Sequence, residues 1–366
     1  MKIFLIEKSE TEDYTTSSGL ALIGQLINRY SELNQLMSTL PLRLGISHAD
    51  VAKGYLGVLC QGKNDFEAIT QHKGDAFFKS ALGMKQIPSC VTLRQRLDAR
   101  AVAMMPLVDE SNFRFLKNAK VPVTALKTGH VSIDMDVFPM DQSGSKKEGI
   151  EMTYKGHFGY APMGAYLGEE GWNLACELRK GAHHSQNGFL DVAKRVVSQA
   201  KELTNKPLLM RLDSGHDALE NLAWLTDEGV DFVIKWNPRK HDWCDWAKIA
   251  DDKGCWEEIR DGKEQAAFRI IKERKFKGQT YPLQLIVCVT KRTMEANGQM
   301  LGFTEGLVEG WWTSLDLSDE EVIGLYKNHA TSEQFHSEFK TDLDLERLPS
   351  GKFATNDLIL SFASLC

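Results

Sequence analysis

Apolar positions follow two different periods along this 366-residue chain, and the change of period divides it. Up to about residue 125 they recur at helical spacing. Leu20, Ile23, Leu26 and Ile27 follow Ser17 or Ser18 as a cap. Val51, Leu56, Val58 and Leu59 follow Ser47-His-Ala-Asp50 and stop at Gly62. Asp65 stands where it can cap a third helix, and Pro88-Ser89 opens a fourth through Leu93 and Leu97. From His130 the period shortens to two. Val131 to Phe138 alternates as a strand, with Asp134 and Asp136 on the same face. Hairpin-like strands follow between Thr153 and Leu178, and a helix from about Gln186 to Leu203. Pro207 to Asp213 reads as an apolar strand ending in a carboxylate. Asp217 to Thr226 reads as a helix, and Val230 to Trp236 as a further buried strand. This order predicts an α/β fold with a mixed sheet.

The stretch from about Asn237 to Leu317 interrupts that order. It holds short β-like runs (Phe268 to Ile271, Leu283 to Val289), a basic patch from Lys272 to Lys277, and Trp243, Trp246, Trp256, Trp311 and Trp312. We read it as an inserted β-rich subdomain. The resulting division is 1–125 helical, 126–240 α/β core, 241–317 insertion and 318–366 the return of the core. The last residues, Asn356 to Cys366, begin an apolar helix with no stop signal, so the chain is expected to be cut short there.

After the insertion, Ser318-Asp-Glu-Glu321 has the form of a capping box. At about 100° per residue, a helix through Leu325 and Lys340 gathers Tyr326, His329, Glu333 and Lys340 within roughly 60° of arc. Leu325, Phe335, Phe339 and Leu343 fall on its back. One carboxylate among Tyr, His and Lys can hold a metal and phosphates together, although a surface helix with ordinary charge pairs has the same spacing.

Charge and cysteines narrow the setting. The net charge of −6 gives no global basic field, so any nucleic-acid contact must be local. One such locality lies between Lys85 and Lys127, where eight Lys or Arg meet three acids. Taken alone, the pattern fits a helical bundle with a solvated basic face better. Seven cysteines without a CxxC pair argue for a reducing compartment. No apolar run reaches membrane-spanning length, so a cytoplasmic protein without membrane partners is expected. His183-His184 could supply metal ligands, but a polar turn at a strand end is the better reading of the pair.

Three acids stand in suggestive positions: Asp136 (or Asp134) on the first strand, Asp213 ending a later one, and Glu333 on the helix after the insertion. Carboxylates so arranged can hold two divalent metals about 4 Å apart, with hard oxygen ligands that favour Mg²⁺ or Mn²⁺.

These residues resemble a family. Tyr326-x2-His329-x3-Glu333-x6-Lys340 is similar to the Tyr-x2-Arg-x3-Glu-x6-Lys signature of transposases of the insertion-sequence four group, with His in the Arg place. Lys146-Lys-Glu-Gly149, Thr153-Tyr-Lys-Gly156, Gly159-Tyr-Ala-Pro162, Arg211-Leu-Asp-Ser-Gly215 and the run from Thr331 to Phe353 resemble more narrowly the insertion-sequence thirteen-eighty family. The resemblance covers about Pro88 to the end.

It implies an RNase H-like core carrying an Asp-Asp-Glu triad, here Asp136 (Asp134 as the alternative), Asp213 and Glu333, with two Mg²⁺ or Mn²⁺ ions. It further implies cleavage at transposon ends, attack of the 3′-hydroxyl on target DNA, and a homodimer on DNA. The helical region would bind terminal inverted repeats. Tyr326, His329 and Lys340 would contact phosphates, and an insertion tryptophan would stack on a flipped base. His329 lacks the bidentate clamp of a guanidinium. That substitution and the early stop leave open a copy that binds DNA without cutting, and an RNase H-like nuclease without strand transfer is a third reading.

Overall fold

The computed structural model describes residues 15, 17–239, 241–328 and 332–366. The amino-terminal part packs helices α1 (Leu20–Tyr30), α2 (Leu33–Ser38), α3 (His48–Leu59), α4 (Ala76–Ala81) and α5 (Cys90–Ala119). Three expected caps are made. The Ser47 hydroxyl accepts from Asp50 N–H, Asp65 caps a 3₁₀ turn over Phe66–His72, and Ser89 accepts from Thr92 N–H. The first helix differs: Gly19 precedes it without a side-chain cap, and the Ser17 hydroxyl donates to Gln61 instead. The long α5 is the spine on which α1, α2 and α3 pack.

Next comes a nine-stranded mixed sheet built from β1 (Val131–Val137), β5 (Met163–Leu167), β6 (Trp172–Glu177), β7 (Leu208–Leu212), β8 (Asp231–Lys235), β9 (Trp256–Arg260), β10 (Lys263–Phe276), β11 (Gln279–Met294) and β12 (Met300–Thr313). Its order is β6-β5-β1-β7-β8-β12-β11-β10-β9, with β1, β7 and β8 parallel to their neighbours in that trio. A small second sheet joins β2 (Met140–Asp141), β3 (Glu151–Met152) and β4 (Phe158–Tyr160). The strands after Asn237 extend the central sheet, since β12 pairs antiparallel with β8 through Trp311↔Lys235. Between Trp236 and β9 the chain also forms α8 (Trp243–Lys253), which the sequence pattern does not predict.

One sheet face carries Ile133, Met135, Met210, Leu212 and Phe232 and is covered by α6 (Phe189–Leu203), α7 (Leu219–Glu228) and α8. The other carries Leu209, Val233, Ile286 and Trp311 and is covered by α9 (Asp319–Lys327) through Val322 and Leu325. The Ser318 capping box that starts α9 is formed in full. The sequence spacing predicts one helix from Leu325 to Lys340, but α9 ends at Lys327 and a separate α10 spans Ser332–Ser337. A π turn over Glu338–Asp342 follows, shifting Lys340 off the angular position that 100° spacing gives it. The apolar back divides accordingly. Leu325 packs on the sheet with Trp311, whereas Phe335, Phe339 and Leu343 join the helical core. Gly171, at φ +73°, lets the Phe335 ring sit where any Cβ would collide with it.

The last helix, α11 (Phe353–Leu365), is buried against α5 and β6. Its Asp357 accepts from Leu178 N–H at 2.8 Å. Burial pushes the Asp357 carboxyl up to about 7, with Glu177 and Asp109 adding to the rise and Leu178 N–H and Arg195 opposing it. In the unfolded chain an Asp ionises near 3.9, so between about pH 4 and 7 the folded state holds a proton that unfolding releases. Its contribution to stability is therefore present below that window and is lost as pH rises through it. Replacing Asp357 by Asn keeps the Leu178 acceptor and removes the titration. The wild-type Tm is expected to fall by several degrees relative to Asp357→Asn between pH 5 and 8. Parallel pH profiles for the two proteins would exclude this assignment.

Candidate active site

The site grows from strand register. Met135 pairs with Leu212 on the parallel strands β1 and β7, so the same register extended by one residue sets Asp136 level with Asp213. Both stand where their strands end, and both line one cavity of about 540 Å³ with Tyr154, His183, His184 and Ser185. Asp136 is half-buried. Asp213 caps the 3₁₀ turn Ser214–His216, accepting from Gly215 N–H at 3.1 Å and lying 2.7 Å from the His216 ring nitrogen Nδ1.

Asp134 occupies a different environment. It sits directly across from Arg211 in the β1–β7 register, and the two form a bidentate pair at 2.6 and 2.5 Å. Their side chains are 2% and 3% exposed. Arg211 also donates to the Leu325 carbonyl at 3.0 Å, which ties the end of α9 to the sheet one residue before Tyr326. Alternation puts both acids on this face; register separates them, one buried on arginine and one open to the cavity.

Tyr326 is half-buried, with its ring 6.1 Å from that of Trp311. Burial, with Asp213, Asp136 and Glu309 nearby, pushes its hydroxyl well above the usual tyrosine range. The same two aspartates, after burial, raise the Tyr154 hydroxyl. Both phenols thus lie within electrostatic reach of the acid pair, and Tyr154 lines its cavity. Lys235 ends β8 in the same row, since Leu212↔Ile234 extended by one residue pairs Asp213 with Lys235. Its ammonium is ion-paired with Glu309 and lies 4.1 Å from the Trp311 ring centroid.

The α10 side approaches from β5. Phe335 packs on Tyr166, and His336 stacks on Phe138 with centroids 4.5 Å apart. Tyr166 and Gly164 face Asp134 and Asp136 across the β1–β5 register. Glu333 is exposed on α10. Among the described residues no three His, Cys, Asp or Glu side chains are grouped to hold one ion. Asp136 and Asp213 line the same cavity, and Glu333 is not among the described residues that line it. The paired oxygens of the two aspartates fit a hard divalent cation as two of its ligands. Lys340 donates to the Pro139 carbonyl and lies 3.6 Å from Glu346. His329 lies outside the described residues.

The sequence pattern does not single out Arg211, Lys235 or Tyr154 as functional groups. Arg211 is visible there as the first residue of the Arg211-Leu-Asp-Ser-Gly215 motif, with no role assigned, and Lys235 only as a polar residue in an otherwise apolar strand. Of the insertion tryptophans, Trp246, Trp311 and Trp312 are buried, while Trp243 and Trp256 are half-buried. The Lys291 ammonium lies 3.8 Å from the Trp256 ring centroid. Along α5 three members of the basic array are paired with acids: Arg94 with Glu67, Arg114 with Glu32 and Glu110, Lys117 with Glu202. No described helix is long and apolar enough to cross a membrane.

Residues 51–366 match the family model described as transposase DDE domain group 1. The chain belongs to this transposase family. DDE transposases generally use divalent metal ions, in keeping with the oxygen donors of the acid pair. Among solved structures the chain is similar to the piggyBac transposase in its synaptic complex with hairpin DNA. That match has a TM-score of 0.45 and 10% identity, covering 95% of this chain and 73% of that one. No curated protein matches the sequence.

Proposed function

We propose that this transposase hydrolyses the phosphodiester at transposon ends and joins the freed 3′-hydroxyl to target DNA. The observation that carries the reading is the level pair Asp136 and Asp213 at the ends of adjacent parallel strands, open to one cavity in a DDE-family chain. In this reading β1, β7 and β8 belong to an RNase H-like core. Asp136 is the first acid, Asp213 the second, and Glu333 on α10 completes the triad when DNA is seated. Two bound Mg²⁺ or Mn²⁺ ions would activate the attacking water or 3′-hydroxyl and stabilise the leaving oxygen.

The protein's own groups orient the ends. Arg211 holds Asp134 and the Leu325 carbonyl, which fixes Tyr326 beside the acids, where its phenol donates to a backbone phosphate. Lys340 exchanges its Pro139 and Glu346 contacts for a second phosphate, and His329 supplies a weaker third. The helical region reads the terminal inverted repeat, and a homodimer holds two ends.

The test is cleavage of a labelled duplex carrying the element's inverted repeat, with Mg²⁺ or Mn²⁺, beside Glu333→Gln. Metal-dependent nicking at the repeat end, reduced on the order of 10³-fold in the variant, is the expected result. Repeat-specific binding without cutting by either protein would overturn catalysis and leave a binding-only copy, while hydrolysis without joined products would exclude strand transfer.

A further inference from the structure

A second concave site lies across the turn from Asp213. Asp213 opens the 3₁₀ turn, and four residues on, Asp217 lines a cavity of about 180 Å³ with Leu219, Trp236, Arg239, Lys272 and Arg274. At ~30 Å³ per water, it has room for about six waters, or for one phosphate group and its nearest hydration. The walls are buried aromatic rings. The Lys272 ammonium lies 4.9 Å from the Trp246 centroid, and the Arg274 guanidinium 6.0 Å from that of Trp312.

Charge in this cavity is out of balance. Arg239, Lys272 and Arg274 face a single lining carboxylate, Asp217. Its two oxygens already accept from Trp312 Nε1 and from Asn237 N–H, each at 2.9 Å. Among the described residues none of the three cations forms an ion pair, unlike Arg94, Arg114 and Lys117 along α5. Burial, with the Arg274 guanidinium beside it, pulls Lys272 below the usual lysine range. Arg239, which also donates to the Asp217 carbonyl, and Arg274 are exposed and Lys272 is half-buried, so the three cations are open to an incoming anion, and two guanidinium groups beside an ammonium suit phosphate oxygens.

We propose that Arg239, Lys272 and Arg274 seat a backbone phosphate of the DNA whose end is held at Asp136 and Asp213. The inference rests on the transposase reading and assigns it a contact outside the signature helix. The buried indoles serve here as walls that hold the cations, not as platforms for a flipped base.

The test is fluorescence anisotropy of the full chain on the inverted-repeat duplex, without divalent ions, between roughly 50 and 200 mM salt. Variants are Lys272→Gln, Arg274→Gln and, as control, Lys201→Gln, whose ammonium pairs with Glu228 on another part of the surface. Abolishing one cation–phosphate interaction reduces the log–log salt slope by about 1. Both pocket variants should show that decrease, with binding weakened about three- to tenfold at the midpoint of the series, equally on repeat and random duplexes. The control should keep the wild-type slope. Arg274 is exposed, so its variant remains informative even if Lys272→Gln folds poorly. Wild-type slopes in a folded Arg274→Gln protein would overturn the pocket while leaving the transposase reading intact. A wild-type protein that neither binds nor cuts the duplex would overturn both.

Discussion

Asp213→Asn is expected to reduce metal-dependent nicking on the order of 10³-fold or more, about 4 kcal/mol of transition-state stabilisation. The substitution is unusually clean at this position. Asp213 Oδ1 accepts from Gly215 N–H and meets His216 Nδ1, and an Asn oxygen can keep both interactions, so the turn that shapes the cavity survives. What disappears is the negative charge beside Asp136. Asp136→Asn should act alike, and the two together little worse than either, because a cation site that loses one carboxylate is already disabled. Duplex binding without divalent ions should change less than about threefold, since the acid pair repels phosphate when no cation is bound. Nicking above a tenth of wild type in either variant would remove these residues from the chemistry.

Arg211→Ala is expected to be the most destabilising single change in the core, by about 3–5 kcal/mol. It strands the Asp134 carboxylate, 2% exposed, between β5 and β7 without its cation, and leaves the Leu325 carbonyl without its donor. Asp134→Asn should cost less, because the amide remains a partner for one guanidinium nitrogen. The double change Arg211→Met with Asp134→Leu should recover much of the loss, since a buried ion pair is replaced by apolar groups of similar size. Urea midpoints read the order directly. Asp134→Asn also separates the two strand acids. At a temperature where it is folded it should still nick DNA, whereas Asp136→Asn should not. A stable Arg211→Ala protein would show that the pair is not needed to hold β1, β7 and α9 together.

The caps at Ser47, Asp65, Ser89 and Ser318 are legible in the sequence because a short side chain bonding a backbone N–H two or three residues on is a local event. The strand around Asp136 and the strand ending before Asp213 are equally legible, because period-two alternation and an apolar run survive any packing. Helix α8 escapes because Trp243, Trp246 and Ala247 sit among charged residues whose pattern alone does not mark a buried face. The expected helix from Leu325 to Lys340 divides because its apolar residues serve two different cores. Leu325 lies against Trp311 and Phe335 against Tyr166, and a single straight helix cannot cover both.

By itself, then, the sequence determined the α/β class, the placement of Asp134 and Asp136 on the first strand and of Asp213 at the end of a later one, and the DDE transposase family, each resting on neighbours within a few residues or on motifs read in order. Tertiary structure alone decided which strand acid is buried on Arg211 and which opens to the cavity, and that Lys272 and Arg274 share a pocket with Arg239. Those facts depend on strand register and on approaches between residues tens of positions apart, which no local period encodes.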